Sequence, residues 1–267
     1  MLIYFLLYSL IIMLGLSVGS FLHCIVYRLE NKKDMSGRSF CEHCKHVLSW
    51  QDLIPVLSFF LLEGKCRYCK AKVSFWHPLI ELLTGLIFLL VFVSIVNLSS
   101  FGLNDFPHLI FAFYIASSLI IIFIYDLKHY LIPDKALIPA IIVSILFNFF
   151  IASHASLFWF FASYLVPGLI LFGLFFFIFF ISKGRWLGFG DVKFVFFMGV
   201  LLGFAKSFLA LFVASLMGSV IGILLIVAKK KQLKSTIPFG PFLAIGTFLM
   251  MIFGNAIENL FSFILLP

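Results

Sequence analysis

Two aspartates stand where a carboxylate is least expected, Asp126 at the end of one long apolar run and Asp191 at the start of another. An ionisable group at lipid depth is costly, so an acid kept there marks function. Gly188-Phe189-Gly190 precedes Asp191, and glycines before an acid let the backbone bend or unwind where a helix would simply begin. Asp126 is followed by Leu131-Ile132-Pro133-Asp134. Two such carboxylates, brought together, share one proton and activate water, which is the logic of an aspartic protease. Taken alone, the Gly-x-Gly-Asp run is equally a glycine turn followed by an N-terminal helix acid. Intramembrane acids also mark ion or proton pathways in transporters. Against a transporter, both acids fall at one membrane face, and no paired halves are visible. A scaffold without catalysis would leave both unexplained.

Four of the five cysteines form two pairs, Cys41-Glu42-His43-Cys44 and Cys66-Arg67-Tyr68-Cys69. Each pair offers two thiolates, and together they complete a tetrahedral zinc site with no open position, hence structural zinc. The 21 residues between the pairs slightly exceed the usual ribbon spacing, which a small subdomain absorbs. No thioredoxin-like βαβ pattern surrounds them, so a redox pair is disfavoured. His43 and His46 find no vacancy among four cysteines. Cys24 reads as a small buried hydrophobe, and His108, His129 and His154 read as loop or span-edge residues without a catalytic role.

The elements that must position these groups are helices in a bilayer. Of 267 residues, 63% are hydrophobic and 11% charged, more apolar surface than a soluble domain can hide. The chain is therefore an all-α polytopic membrane protein, with its first apolar run retained as a span. Stretches of about 20 apolar residues fit eight times, near 3–27, 78–98, 108–126, 136–153, 157–181, 191–205, 207–228 and 241–264. The net charge of +8 reports topology and implies no nucleic-acid partner. In this eight-span arrangement 18 of the 19 Lys and Arg lie on one side, Lys206 being the exception. The positive-inside rule puts that side, with the cysteine loop, in the cytoplasm and both termini outside. Asp126 and Asp191 then share the cytoplasmic face. No internal repeat or nucleotide-binding glycine loop is visible.

Small residues at 15, 19 and 20 of the first span predict close approach by another helix. Arg28 falls at headgroup level, as a snorkelling anchor or a ligand contact. Glu81 opens the second span as a helix N-terminal acid, or as a carboxylate facing a ligand beside the cysteine loop. Pro238-Phe239-Gly240-Pro241 breaks the chain before the last span, a break tolerated where backbone lines a cavity.

These residues together resemble the bifunctional type IV prepilin peptidases, a GxGD aspartyl protease family, across nearly the whole chain. The resemblance is carried by Gly19-Ser20-Phe21-Leu22, Tyr27-Arg28-Leu29, the paired CxxC motifs and Trp50-Gln51-Asp52-Leu53-Ile54-Pro55. It continues in Gly64-Lys65-Cys66, Pro78-Leu79-Ile80-Glu81-Leu82-Leu83-Thr84-Gly85, Asp126 before Ile132-Pro133-Asp134, Gly188-Phe189-Gly190-Asp191-Val192-Lys193 and Pro238-Phe239-Gly240-Pro241. It implies cleavage of type IV prepilins or pseudopilins after a glycine at the cytoplasmic face of the inner membrane. It further implies methylation of the new N-terminal residue, commonly phenylalanine, from S-adenosylmethionine. The family's catalytic aspartates fall on Asp126 and Asp191, supported by Gly188, Gly190, Lys193, Pro238 and Gly240. Methyl transfer falls on residues 1–100, with Arg28, Glu81 and the zinc loop 29–77, and peptidase chemistry on 101–267. Three positions depart from the family pattern: Glu42 and Glu30, where proline is usual or frequent, and Leu53, where asparagine is common. The third bears on the methyl-donor contacts.

Overall fold

Lipid offers no partner to a backbone N–H or C=O, so each apolar run closes its hydrogen bonds within itself as a helix. The computed structural model describes residues 2–96, 102–103, 105–152, 156–230, 232 and 235–265. Lys231, Lys234 and His154, used in the topology and loop readings, lie outside the described residues. Among those described, the chain is helical, with two isolated β-bridges in place of strands.

Two units divide the chain, Met1–Ile121 and Ile122–Pro267. The first holds α1 (Leu2–Glu30), a 3₁₀ turn (Trp50–Leu53), α2 (Leu57–Leu61), α3 (Trp76–Ile95) and most of α4 (Asp105–His129). Its centre is the crossing of α1 and α3, and the expected small-residue approach is found there. A Cβ on Gly15 would lie 2.7 Å from the Gly85 Cα, and one on Gly19 2.8 Å from the Glu81 Cα. No side chain fits between those backbones.

The second unit holds the end of α4, then α5 (Asp134–Ala152), α6 (Leu157–Phe160), a π-turn (Phe161–Leu165) and α7 (Val166–Ser182). It ends with α8 (Phe189–Leu202), α9 (Phe204–Val227) and α10 (Gly240–Leu265). Helix α8 is its core: it packs on α5, α7, α9 and α10, and Val192, Phe194, Val195, Phe197 and Met198 are wholly buried. Gly199 rests on Gly168 so tightly that an added Cβ would fall 2.4 Å from the Gly168 Cα. Buried Asn148 of α5 donates to the Val200 carbonyl at 2.8 Å, satisfying an orphan acceptor in the last turn of α8.

Seven helices among the described residues are long and apolar enough to cross a membrane. Eight spans are not confirmed, and the difference is α8, expected as the sixth. Its 14 residues rise about 21 Å, short of the roughly 30 Å hydrocarbon core. Gly203 cuts it off with φ of +77°, a conformation that glycine adopts at little cost, and a Cβ there would crowd the Ser163 carbonyl of the π-turn at 3.0 Å. The other spans fall within a few residues of their expected limits.

Candidate functional site

Asp126 sits one turn from the end of α4 and is 3% exposed. Tyr130, at φ of +58°, reverses the chain there, and its N–H bonds the Asp126 carbonyl at 2.9 Å. Pro133 then resets the chain for α5, which opens at Asp134. This reversal carries Ile132 back over the end of α4 and between the starts of α8 and α10. A Cβ on Gly190 would meet the Ile132 Cβ at 3.1 Å; one on Gly240 would meet the Ile132 Cγ1 at 3.2 Å and the Asp126 Oδ2 at 2.6 Å. The first turns of α8 and α10 and the last of α4 thus converge on one isoleucine.

Asp191 lies in the first turn of α8, where its Oδ2 accepts the Gly188 N–H at 3.2 Å. A carboxylate at that position also faces the positive end of the helix dipole. The Gly240 N–H is turned towards Asp126 in the same way. Gly190, next to Asp191, and Gly240, against Asp126, both pack on Ile132, so the two expected catalytic groups are in one site. Lys193 is not aimed at them: its ammonium pairs with Asp134, holding the start of α5 to the start of α8. Pro238 is half-buried and lines a side cleft of about 260 Å³ with Phe239, Phe242 and Gly218.

In the first unit the four cysteine sulfurs lie within 4.8 Å of one another, with Cys41 Sγ 3.9 Å from Cys69 Sγ. Zinc–sulfur bonds of about 2.3 Å in a tetrahedron place sulfurs about 3.8 Å apart, so the donor set fits zinc. The two knuckles are copies of one design. Cys41 and Cys66 donate N–H groups to the His46 and Ala71 carbonyls, at 2.9 and 2.8 Å. The bridges Phe40–Val47 and Lys65–Lys72 close them, and Lys45 and Lys70 turn at φ of +60° and +59°. Cys-x-x-Cys-Lys recurs at the two knuckles, a short repeat that the expectation of no internal repeat missed.

Arg28 is 5% exposed and spends its guanidinium on the cysteine loop, donating to the carbonyls of Met35 and, at 2.6 Å, Gly37. It anchors backbone. Glu81 and Ser20 lie on the wall of a cavity of about 470 Å³ beneath the cysteine loop, a size typical of small-molecule sites. Asp52 is on the same wall and was not singled out as a site residue. It accepts Arg67 Nε at 2.6 Å, Tyr68 Oη at 3.2 Å and the Ser49 hydroxyl at 2.8 Å. Burial opposes its ionisation, but the bonds from Arg67 and Ser49 outweigh this and hold its carboxyl below the usual carboxylate range. Asp52 therefore ties the second cysteine knuckle to the turn at 50–53. Gly240 was expected as a supporting residue, but its contact with Asp126 spans more than a hundred residues and left no local signal.

Comparison with known proteins places similarity over both units. Residues 13–95 match the bacterial peptidase A24 N-terminal domain, and residues 113–223 match the type IV leader peptidase family. Over 280 residues the chain is 29% identical to a prepilin leader peptidase/N-methyltransferase of Aeromonas hydrophila, covering 94% of this chain and 92% of that one. A protein of the same description from Legionella pneumophila is 28% identical over 280 residues, covering 94% and 93%. One from Myxococcus xanthus is 32% identical over 220 residues, covering 80% of this chain and 62% of that one. No solved structure matches.

Proposed function

Because the chain belongs to the type IV leader peptidase family, we propose that it cleaves the leader of type IV prepilins or pseudopilins, after a glycine, and methylates the new amino terminus. The observation that carries the peptidase half is the meeting of buried Asp126 with Asp191 around Ile132. Two carboxylates in one site do not both ionise readily, so sharing one proton gives an ionised and a protonated partner. The ionised partner takes a proton from water as the water oxygen attacks the scissile carbonyl. The protonated partner donates to the carbonyl oxygen, and return of a proton to the nitrogen releases the amine. Gly188 and Gly190 keep the backbone beside Asp191 open to an extended substrate segment. Lys193 steadies that turn through Asp134, while Gly240 and Pro238 set the opposite wall.

The methyltransferase half belongs to residues 1–100, with the cavity beneath the zinc loop as its site and Glu81 on its wall. S-adenosylmethionine, when bound, supplies an electrophilic methyl group on a sulfonium, and the cavity volume suits a molecule of that size. Zinc at Cys41, Cys44, Cys66 and Cys69 holds the loop and does no chemistry. Arg28 serves the same loop by bonding residues 35–37. We place the chain in the inner membrane with both termini on the non-cytoplasmic side and both aspartates at the cytoplasmic face. The short α8 does not disturb that assignment, because Gly203 alone joins it to α9 and the pair leads the chain in and back.

Full-length protein in detergent, incubated with a prepilin, tests this. Wild type yields a shortened, methylated product. Asp126→Asn or Asp191→Asn abolishes shortening, the double variant is no worse because the pair acts as one device, and each still methylates a pre-cut substrate. Cleavage retained by either single variant at normal expression would overturn the mechanism.

A further inference from the structure

The segment that closes the cavity beneath the zinc loop contains a strained residue. Val56 adopts φ of +62° and ψ of −50°, and the Leu57 N–H bonds the Pro55 carbonyl at 2.5 Å. That is a γ-turn of the rare positive-φ form, centred on a β-branched side chain for which positive φ is an outlier. Backbone strain persists only where surroundings enforce it, and it gathers at functional sites. What enforces it here is Glu81, whose Oε2 accepts the Val56 N–H at 2.7 Å, with the Ser20 hydroxyl as a second partner. Glu81 is 8% exposed, and among the described residues no cation is paired with it. A carboxylate has about four acceptor sites, so two neutral donors leave capacity on the cavity side. Burying it without a cation is unfavourable, and a cationic ligand would repay that. By contrast Asp52, on the same wall, is saturated by Arg67, Tyr68 and Ser49.

We propose that Glu81 receives the α-amine of the cleaved substrate for methylation, aimed by the strained turn at Val56; this rests on the methyltransferase reading above. At neutral pH the new amino terminus is largely an ammonium, with a pKa of about 7.7–8.0, and has no lone pair to offer. Glu81 takes one proton from it. The freed nitrogen lone pair attacks the methyl carbon of S-adenosylmethionine, the carbon–sulfur bond breaks, and its electron pair returns to sulfur as a neutral thioether. Positive charge thus moves from sulfur to nitrogen, which ends as a secondary ammonium with four bonds. Glu81 then releases its proton to solvent, and the regained carboxylate faces the secondary ammonium until it departs. The other ionisable groups on the wall are Cys41, Glu42, His43, Asp52, Lys65, Cys66, Arg67, Lys72 and His77, with His23 of α1 stacked on His77. Arg67 is spent on Asp52 and Lys65 pairs with Glu63; Lys72 suits the negative end of the donor, and all three are the wrong sign for an ammonium.

The test uses the full-length protein in detergent and a short peptide beginning with phenylalanine, as free amine and as its N-acetyl form. Wild type at pH 7 is expected to bind the free amine about 10- to 100-fold more tightly, the range of a charged hydrogen bond. In Glu81→Gln that preference falls to within about threefold, while S-adenosylmethionine binds as before. Methylation drops about 100-fold at pH 7, and the gap narrows towards pH 9 as the amine loses its proton unaided. Glu81→Asp, which keeps the charge, retains part of the preference; zinc content and prepilin cleavage report folding of both variants. Three results would each overturn the proposal: an intact preference in Glu81→Gln, an equal loss at every pH, or a fall in donor affinity instead. A wild type that binds no donor and methylates neither peptide would sink the methyltransferase reading itself, and the role of Glu81 with it.

Discussion

Of the three glycines around the aspartates, the one outside the Gly-x-Gly-Asp run should matter most to cleavage. A methyl at Gly240 would lie 2.6 Å from the Asp126 Oδ2, 3.0 Å from its carboxyl carbon and 3.2 Å from the Ile132 Cγ1. Asp126 is buried, so its carboxylate cannot swing aside into water. Reaching an ordinary contact of 3.4 Å requires a retreat of roughly 0.8 Å, by the acid or by the start of α10. Misplacement of a reacting group by about 1 Å costs about 100-fold in rate. Gly240→Ala should therefore lower kcat/KM for prepilin cleavage about 100-fold, close to 2.7 kcal/mol of lost transition-state stabilisation. At Gly190 the methyl meets the Ile132 Cβ at 3.1 Å, a side chain with some freedom, and the loss should be about 10-fold. At Gly188, φ is −74° and the nearest atom is the Asp191 Oδ2 at 3.3 Å, so alanine should cost about threefold or less. The assay is initial-rate cleavage of a prepilin by the three variants in detergent, with methylation of a pre-cut peptide as the measure of folding. The reverse order, with Gly188→Ala the worst, would refute the placement of Asp126 against α10.

Cys41→Ser or Cys69→Ser leaves three thiolates, and zinc binding and loop folding are linked; metal analysis should find zinc lost and methylation falling further than cleavage. Freshly purified wild type without zinc would refute the assignment. Asp134→Asn should keep cleavage within about threefold, because the Asp134 carboxylate is 54% exposed and such pairs contribute about 0–1 kcal/mol. Loss of cleavage comparable to that of Asp126→Asn would give Asp134 a direct role.

What was legible in the sequence was whatever depends on local composition. A helix in lipid needs only an apolar run of sufficient length, so the spans could be read within a few residues. Two Cys-x-x-Cys pairs need only proximity to offer four thiolates, so the four-cysteine cluster could be read as well. The sixth span, which is not confirmed, has a similar origin: an apolar run continues through Gly203, and the turn at φ of +77° against the Ser163 carbonyl ends α8 there. Hydropathy does not record backbone handedness.

What was hidden depends on which distant segments meet. Ile132 is an ordinary apolar residue in its own neighbourhood, and nothing near it in sequence indicates that α8 and α10 both close on it. The same holds for Glu81, whose bond to Val56 joins residues 25 apart and holds a conformation that valine avoids. In both places a carboxylate acts on backbone: Asp126 against the Gly240 turn, Glu81 beneath the Val56 turn. A side chain at Gly240 or a relaxed turn at Val56 would leave the helices in place while moving the acid or its surroundings by less than an ångström. Such changes alter chemistry without disturbing apolar burial, which is why hydrophobic periodicity carries no trace of either contact.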